Sequence, residues 1–543
     1  MFSSKGKKIE HFRSTWGKPL DKYRNLDLIG SYHTLLQKPG SDSTVDEKTW
    51  KDLDFDSIFA AMDRNTSGIG QQYLYRLLHT YEQDETILHH RHSLIERLSR
   101  ERDLREQIQL QLSNVTGPSS YFIAYLILGK ELPHTRFYPF FYLSSLLSAA
   151  SLLLISVNGA FLFVAMGVLL LNIVLDRVFS KRIYQFFAGF SSLNALLHAA
   201  LGICKIKIDQ PIKEIEVLKS KRDVLTSLQK KLGYLVIDKQ GLHEFVRITI
   251  EYLNMFFLFD LIAYYRSVDI LLKSREEIRT MFDTCAALDA SIAVASYLEE
   301  LPWYSTPTFH DSPTIHFKDL YHPLIQNAVP NTIDALTTSA LITGSNMSGK
   351  TTFIKTVGIG FVLSQSLYIT LSREMTIPKL MVKSAIRRNE SLEEGKSYFF
   401  VEIESLREFL RLSEKKRRYL FLIDEIFRGT NTIERLASST AVLRYMEADN
   451  TVLVTTHDIE LQNLLDGTFT MCHFSEHVEN GNFFFDYKIR NGPCSSGNAI
   501  KLLEIMHYPT SVTTEAGAIA RVLKDSPSVT DPDVIRRMIS QRG

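Results

Sequence analysis

Residues 341–351 read Leu-Ile-Thr-Gly-Ser-Asn-Met-Ser-Gly-Lys-Thr. The arrangement Gly-x-x-x-x-Gly-Lys-Thr is that of a phosphate-binding loop. Gly344 and Gly349 carry no side chain, so the backbone through Ser345, Asn346, Met347 and Ser348 can wrap a phosphate chain and aim its N–H groups at it. Lys350 reaches toward the β- and γ-phosphates, and Thr351 offers a hydroxyl to Mg²⁺. Thr352 completes the set as the chain enters a helix. The expected ligand is ATP with Mg²⁺.

Two apolar runs downstream could supply the rest of a hydrolytic site. Tyr419-Leu-Phe-Leu-Ile-Asp-Glu-Ile426 reads as a buried strand that ends in two carboxylates. Asp424 at its tip is placed to hold Mg²⁺, and Glu425 to polarise an attacking water. Thr451-Val-Leu-Val-Thr-Thr-His457 reads as the neighbouring strand, with His457 placed to sense the γ-phosphate. Each run alone is also what an ordinary core strand looks like. Their position behind the glycine loop gives Lys350, Glu425 and His457 a joint catalytic reading. The elements that must position them follow the same logic. Ser339–Thr343 is a short buried strand before the loop, and Thr352–Leu367 is a helix after it.

These segments together resemble the MutS family of DNA mismatch repair proteins. Thr343-Gly-Ser-Asn-Met-Ser-Gly-Lys-Thr-Thr352 is similar to its nucleotide loop. Asp424-Glu-Ile-Phe-Arg-Gly-Thr-Asn-Thr-Ile-Glu434 is similar to its acidic signature. Gly395–Glu402 and His322-Pro-Leu-Ile325 resemble the flanking segments. The resemblance covers roughly 305–515. It implies that Ser397 reaches the γ-phosphate of a partner subunit's nucleotide. It also places Arg428, Gly429 and Thr430 at the same interface, which makes the expected assembly a homodimer. Ser348, Phe427 and Tyr398 depart from the family pattern, standing where glycine, glycine and threonine are usual. Weaker likenesses lie upstream, in 50–56, in Asn65-Thr-Ser-Gly-Ile-Gly-Gln-Gln-Tyr-Leu-Tyr75, and around Leu288-Asp289.

The implied fold is an α/β P-loop NTPase of the ABC/MutS type at the C-terminal end. It is preceded by an all-α lever domain like the MutS core, with an inserted transmembrane helical hairpin. The expected divisions are 1–44, an N-terminal segment; 45–136, the opening stretch of the helical core; 137–176, the hairpin; 177–304, the helical levers that complete the core; 305–515, the ATPase; and 516–543, a helical tail. The core-like segment starts near 45, which leaves no room for the family's mismatch-reading domain. Phe400-Val-Glu402 matches that domain's Phe-x-Glu wedge in letters but lies inside the ATPase. DNA is therefore a possible partner, without mismatch recognition. The alternative is a nucleotide switch acting on a protein or membrane partner. An ABC transporter ATPase fits less well, since no Leu-Ser-Gly-Gly signature is present.

The hairpin is read from composition. From Phe137 to Leu175 there is no charged residue and no histidine. A single membrane span takes about 20 apolar residues, and Asn158-Gly159 is a turn signal in the middle. Two helices, about 138–157 and 160–175, follow from this. Arg136 lies before them, and Arg177, Lys181 and Arg182 after, which puts both ends on the cytoplasmic side of the cytoplasmic membrane. A buried helical hairpin in a soluble core is the other reading. Residues 186–203 are also apolar but carry Asn194 and His198, and are expected to form a buried core helix. Glu214–Lys231 has apolar residues at helical spacing with charges between, as a lever or coiled-coil face would, and Ile250–Tyr265 reads as core rather than membrane.

Global composition constrains less. The net charge of +1 gives no electrostatic footprint for nucleic acid. Cys204, Cys285, Cys472 and Cys494 have neither metal spacing nor a disulfide pattern, which suits a reducing compartment. The first residues lack an apolar segment of the signal-peptide kind.

Overall fold

The computed structural model describes residues 4–525, apart from 38–42, 130–131, 134, 136, 234–243, 346, 387–397, 416, 428–429, 480–481, 494–499, 501–502 and 505. The chain divides into two compact units. One comprises Met1–Thr44, Asp56–Pro302 and Gln365–Tyr368; the other comprises Val45–Phe55, Trp303–Ser364 and Ile369–Gly543. Val45–Phe55 thus groups with the α/β unit, whereas the sequence placed everything from 45 to 136 in the helical core. The cause is side-chain chemistry in the helix Glu47–Asp52. Asp52 accepts hydrogen bonds from Ser384 Oγ at 2.7 Å and Ile386 N at 2.9 Å, and Lys383 Nζ bonds Asp46 at 3.0 Å.

The first unit is helical among its described residues. Its upstream motif has a clear structural purpose. Ser67 caps the helix Gly68–Leu78, its hydroxyl accepting from Gly70 N at 3.2 Å. Asp289, buried on the helix Arg275–Leu298, accepts from Thr66 N at 3.0 Å, Ser67 N at 2.8 Å and Ser67 Oγ at 2.6 Å. A Cβ on Gly70 would sit 2.2 Å from the Asp289 carboxylate, so only glycine fits. Asn65-Thr-Ser-Gly-Ile-Gly is therefore a docking turn for a buried acid.

The apolar region forms a first arm, Tyr138–Leu154, a turn at the predicted place, and a helix Phe161–Ile203. Asn158 Oδ1 accepts from Ala160 N at 2.9 Å in that turn. The second arm and the 186–203 segment are one uninterrupted helix, not two. No proline or glycine pair lies between them to break it. Among the described residues, two helices in the unit are long and apolar enough to cross a membrane by length and composition. Arg275–Leu298 is core, with 89% of its apolar window buried; Phe161–Lys181 is 11% buried.

Two further expectations need correction. Glu214–Lys231 is split into Lys213–Ser220 and Arg222–Gly233, with Lys221 between them. Ile250–Tyr265 is split at Leu258, whose φ of 53° is left-handed. The helix Glu244–Phe257 before that break is not core: Val246, Ile248, Tyr252, Leu253 and Met255 are exposed. Only the helix after it, Phe259–Lys273, has a substantially buried face.

The second unit is α/β. Strands β1 (Thr308–Phe309), β2 (Ile315–Leu320), β3 (Asn331–Leu336) and β5 (Glu374–Ile377) make a small sheet in the order β1-β5-β2-β3. The large sheet contains β4 (Ala340–Thr343), β6 (Met381–Ala385), β7 (Tyr419–Asp424), β8 (Thr451–Thr456), β9 (Thr470–Glu479) and β10 (Asn482–Asn491). Its order is β10-β9-β4-β8-β7-β6, parallel throughout except for the antiparallel edge strand β10. The central strands β4 and β8 are buried at every position, the signature of a sheet covered on both faces. Asn480-Gly481, between β9 and β10, lies outside the described residues. Of the expected tail helices, Thr510–Asp525 is described.

Candidate functional site

The strand order places three strand tips side by side. Thr343 on β4 pairs with Thr456 on β8, and Asp424 on β7 pairs with Thr455 on β8. Open parallel sheets bind ligands beyond the carboxyl ends of their strands. Here that edge collects the loop after β4, the acid pair after β7 and the histidine after β8.

The loop runs from β4 into the helix Lys350–Leu367. Gly344 has φ of 145° and Gly349 φ of 102°, both costly for a side-chain-bearing residue. A Cβ at Gly344 would meet Phe474 O at 2.9 Å. Met347 also has positive φ, at 73°, and is 81% exposed. Lys350 Nζ donates to Gly344 O at 2.8 Å and Ser345 O at 2.7 Å, so the ammonium sits over the loop's own carbonyls. Ser348, the departure from glycine, is tolerated for a visible reason. It is buried, and its hydroxyl donates to Ser345 O at 2.8 Å. Ser345 Oγ is buried without a hydrogen-bond partner among the described residues. Thr352 lies in the first turn of the helix, and Asn346 is outside the described residues.

Thr351 Oγ1 lies 3.0 Å from each Asp424 carboxylate oxygen. Thr455 Oγ1 also donates to Asp424 Oδ1. The carboxylate is held by rotatable hydroxyl groups, which can turn a lone pair instead of a proton toward an incoming cation. No cluster of three or more His, Cys, Asp or Glu side chains suited to a metal exists among the described residues. One carboxylate with one hydroxyl is nevertheless the usual protein share of a Mg²⁺ shell completed by phosphate and water. The residues fit Mg²⁺–ATP: glycine backbone and Lys350 for phosphate, Thr351 and Asp424 for the metal.

Glu425 follows with φ of 61°, and its N–H donates to Thr455 O at 3.0 Å. That bond and the left-handed turn swing the side chain toward β8. There Glu425 Oε1 lies 3.0 Å from His457 Nε2. A base oriented by a histidine is a sensible arrangement for activating water. Phe427 also has positive φ, 55°, and its N–H donates to Glu402. This accounts for glycine being usual at that position, and Phe427 persists because its ring is buried. Asp424 and Glu425 open onto a cavity of about 460 Å³, also lined by Lys48, Lys51, Asp52 and Glu402.

Thr430 Oγ1 bonds Glu434 at 2.9 Å beside the Asn431 cap of the helix Thr432–Glu447. Ser397, Arg428 and Gly429 lie outside the described residues. Three contributors were not singled out from sequence. Thr455 holds Asp424. Gln462 Nε2 donates to Thr343 Oγ1 at 2.9 Å. Arg435 pairs with Asp458 through two contacts of 2.8 Å. Of the three, only Thr455 left a sequence signal that could have found it, a hydroxyl two residues before His457 on the adjacent strand.

The glycine loop, the adjoining acid tip and the parallel sheet lie together in one segment of the α/β unit. Residues 340–524 match the family model described as MutS domain V, and this segment is related to the MutS family. The DNA mismatch repair protein MutS of Lactobacillus delbrueckii subsp. bulgaricus is 31% identical over 255 residues, covering 44% of this chain and 29% of that protein. Its namesake from Thermus thermophilus is 27% identical over 273 residues, covering 49% and 33%. That from Shouchella clausii is 29% identical over 253 residues, covering 44% and 29%. The chain spans about a third of the length of the curated relatives it matches.

Proposed function

We propose that this protein is a membrane-anchored ATPase of the MutS family, acting as a homodimer that binds DNA without mismatch recognition. The observation that carries the ATPase reading is the convergence at three strand tips. Lys350 and Thr351 follow the loop, Asp424 faces Thr351, and Glu425 faces His457. When bound, Mg²⁺ neutralises phosphate charge. Lys350 and the loop N–H groups hold the phosphates in place, and Thr351 with Asp424 fixes the metal side. Glu425 orients a water and takes its proton at Oε, and His457 holds that carboxylate in position. Ser397 and the 428–430 segment complete the site from the partner subunit, so turnover depends on the dimer.

The DNA side of the reading rests on the relatives, which are mismatch repair proteins by name. Phe400 and Glu402 lie in the helix Tyr398–Ser413, where Glu402 holds the Phe427 N–H. That use of Glu402 supports a structural place for the Phe-x-Glu letters rather than a mismatch wedge. The membrane side rests on the exposed apolar arms, whose flanking basic residues put both ends, and the α/β unit, on the cytoplasmic side. Those same arms, with the net charge of +1, favour a second reading, a membrane-tethered nucleotide switch acting on a protein or lipid partner.

Three measurements decide. Lys350→Ala should abolish binding of labelled ATP. Glu425→Gln should keep binding while turnover falls about 10²–10⁴-fold; normal turnover would remove Glu425 as the base. Detergent-purified protein should retain duplex DNA in an ATP-dependent, salt-sensitive manner. Active ATPase with no DNA retention at low salt would leave the switch reading standing.

A further inference from the structure

The helix Glu244–Phe257 is unusual in this molecule. It is amphipathic, yet its apolar side chains do not enter the core. Val246, Ile248, Tyr252, Leu253 and Met255 are exposed, and Phe259 just beyond it is 51% exposed. Glu244 and Glu251 are seven residues apart and so share one face of the helix, while most of its other residues are apolar. A helix in water that leaves this much apolar surface open marks an interaction surface.

Its place in the fold identifies the occupant. The helix packs beside both apolar arms, and one buried side chain ties the three together. Asn172, on the second arm, accepts from Ser144 Oγ at 2.5 Å and donates to Ser148 Oγ at 3.1 Å, both on the first arm. It also donates to Phe256 O, in the last turn of the flanking helix, at 2.6 Å. The flanking helix's open apolar surface is thus continuous with that of the arms. Asn172 lies five residues before Arg177, which at 1.5 Å per residue is about 7–8 Å below the basic flank. Interfacial amphipathic helices sit about 5–10 Å into the headgroup and acyl boundary. Basic flanks mark the headgroup level.

We infer that Glu244–Phe257 is an interfacial membrane helix. Its charged face meets water, its C-terminal end dips beside Asn172, and Tyr252, Leu253 and Met255 enter the lipid of the cytoplasmic leaflet. The inference rests on the membrane reading of the arms. It makes the anchor a three-helix device that includes an element outside the hairpin.

The test places an environment-sensitive fluorophore on single cysteines in the full-length protein carrying Cys494→Ser; the other three native cysteines are buried. Labels go at Tyr252→Cys and Met255→Cys on the flanking helix, at Leu170→Cys on the arm, and at Ile87→Cys as an exposed control far from both. The protein is reconstituted into vesicles of equimolar phosphatidylethanolamine and phosphatidylglycerol, with a quencher attached either near the headgroup or deep in the acyl chain. Tyr252→Cys and Met255→Cys should be quenched by the shallow lipid at least about twofold more than by the deep one, as an interfacial depth requires. Leu170→Cys should be quenched strongly by the deep lipid, and Ile87→Cys by neither. Quenching at Leu170→Cys with both flanking-helix labels at the Ile87→Cys level would overturn the inference and leave the anchored arms intact. No quenching at Leu170→Cys either would overturn the membrane reading and this inference with it.

Discussion

The two halves of the helix Phe161–Ile203 have nearly the same apolar character and opposite surroundings. In the C-terminal half, Phe190, Leu193, Leu197 and Ala200 recur at helical spacing, and all are buried in the main core of the helical unit. In the N-terminal half, Phe163 is 76% and Leu170 63% exposed, as are their neighbours around the helix. A stripe of buried residues reports a protein partner on one side. Apolar residues exposed around most of the axis, with only a seam at Ala165 and Asn172 buried, report a medium that is itself apolar. Composition says that both halves must leave water, and only the pattern around the axis says into what. Fully burying one leucine is worth about 1.5–3 kcal/mol, so neither half is indifferent to its surroundings.

The largest effect that could break this contrast is removal of one side of it. Deleting 137–176 and closing the gap with a short linker should move the protein wholly from the membrane pellet to the supernatant. Continued sedimentation with membranes would show that the exposed half is not the anchor. A charge in each half should then separate them. Leu197→Asp buries an unpaired carboxylate in the core and should cost about 3–5 kcal/mol, read as a large drop in thermal midpoint in detergent. Leu170→Asp should leave that midpoint nearly unchanged. It should instead weaken membrane insertion by about 2.5–3.5 kcal/mol, the cost of an acid at mid-bilayer. Equal loss of detergent stability in both variants would mean that the arm is a core helix after all.

Acid should separate the halves without mutation. His33 and His79 stack in the helical unit with ring centres 4.4 Å apart. Burial depresses both, His33 to about 4 and His79 to about 3. Because the folded values lie below the unfolded value near 6.5, the unfolded chain binds more protons as pH falls. Stability is full above pH 6.5 and is lost progressively toward pH 4 and below. At about 1.4 kcal/mol per unit of displacement, a loss of about 3 kcal/mol is expected across that window. The rings titrate as a pair, so their displacements do not simply add. Membrane sedimentation should persist while the core loosens. His79→Gln should flatten the pH dependence of the midpoint, and an unchanged slope would acquit the pair.

How much of this was legible beforehand differed by region for physical reasons. The candidate site was readable because each component is local: Gly344 to Thr351 is one turn, and Asp424 with Glu425 ends one strand. Missing were the partners that only strand order brings in, Thr455 beside Asp424 and Gln462 beneath Thr343. The apolar arms and their turn were legible from an unbroken run, since lack of charge needs no tertiary information. The fusion of the second arm with 186–203 was not, because nothing in a continuous helix announces where its environment changes. Of Ile250–Tyr265, expected to be core throughout, only the part after Leu258 is, because richness in Phe and Leu does not distinguish a core from a bilayer. The move of Val45–Phe55 into the α/β unit turned on Asp46 and Asp52, whose partners lie more than three hundred residues away.

The smallest effect concerns the polar seam inside the exposed half. Asn172→Leu removes the one buried amide that joins both arms to the helix Glu244–Phe257. Ser144 and Ser148 can turn their hydroxyls back to carbonyls of their own helix, so the arms lose little. The Phe256 carbonyl has no such recourse, because the chain breaks from helix at Leu258. Interhelical side-chain hydrogen bonds in membranes are worth about 0.6–2 kcal/mol, and leucine adds apolar contact that offsets some of this. The expected outcome is a change of no more than about 1–2 kcal/mol in global stability. Amide exchange should nevertheless accelerate across residues 250–257, with protection of the two arms retained. Uniform acceleration through both arms would mean that Asn172 holds the hairpin itself. No change at 250–257 would mean that the flanking helix is fixed by its apolar contacts alone.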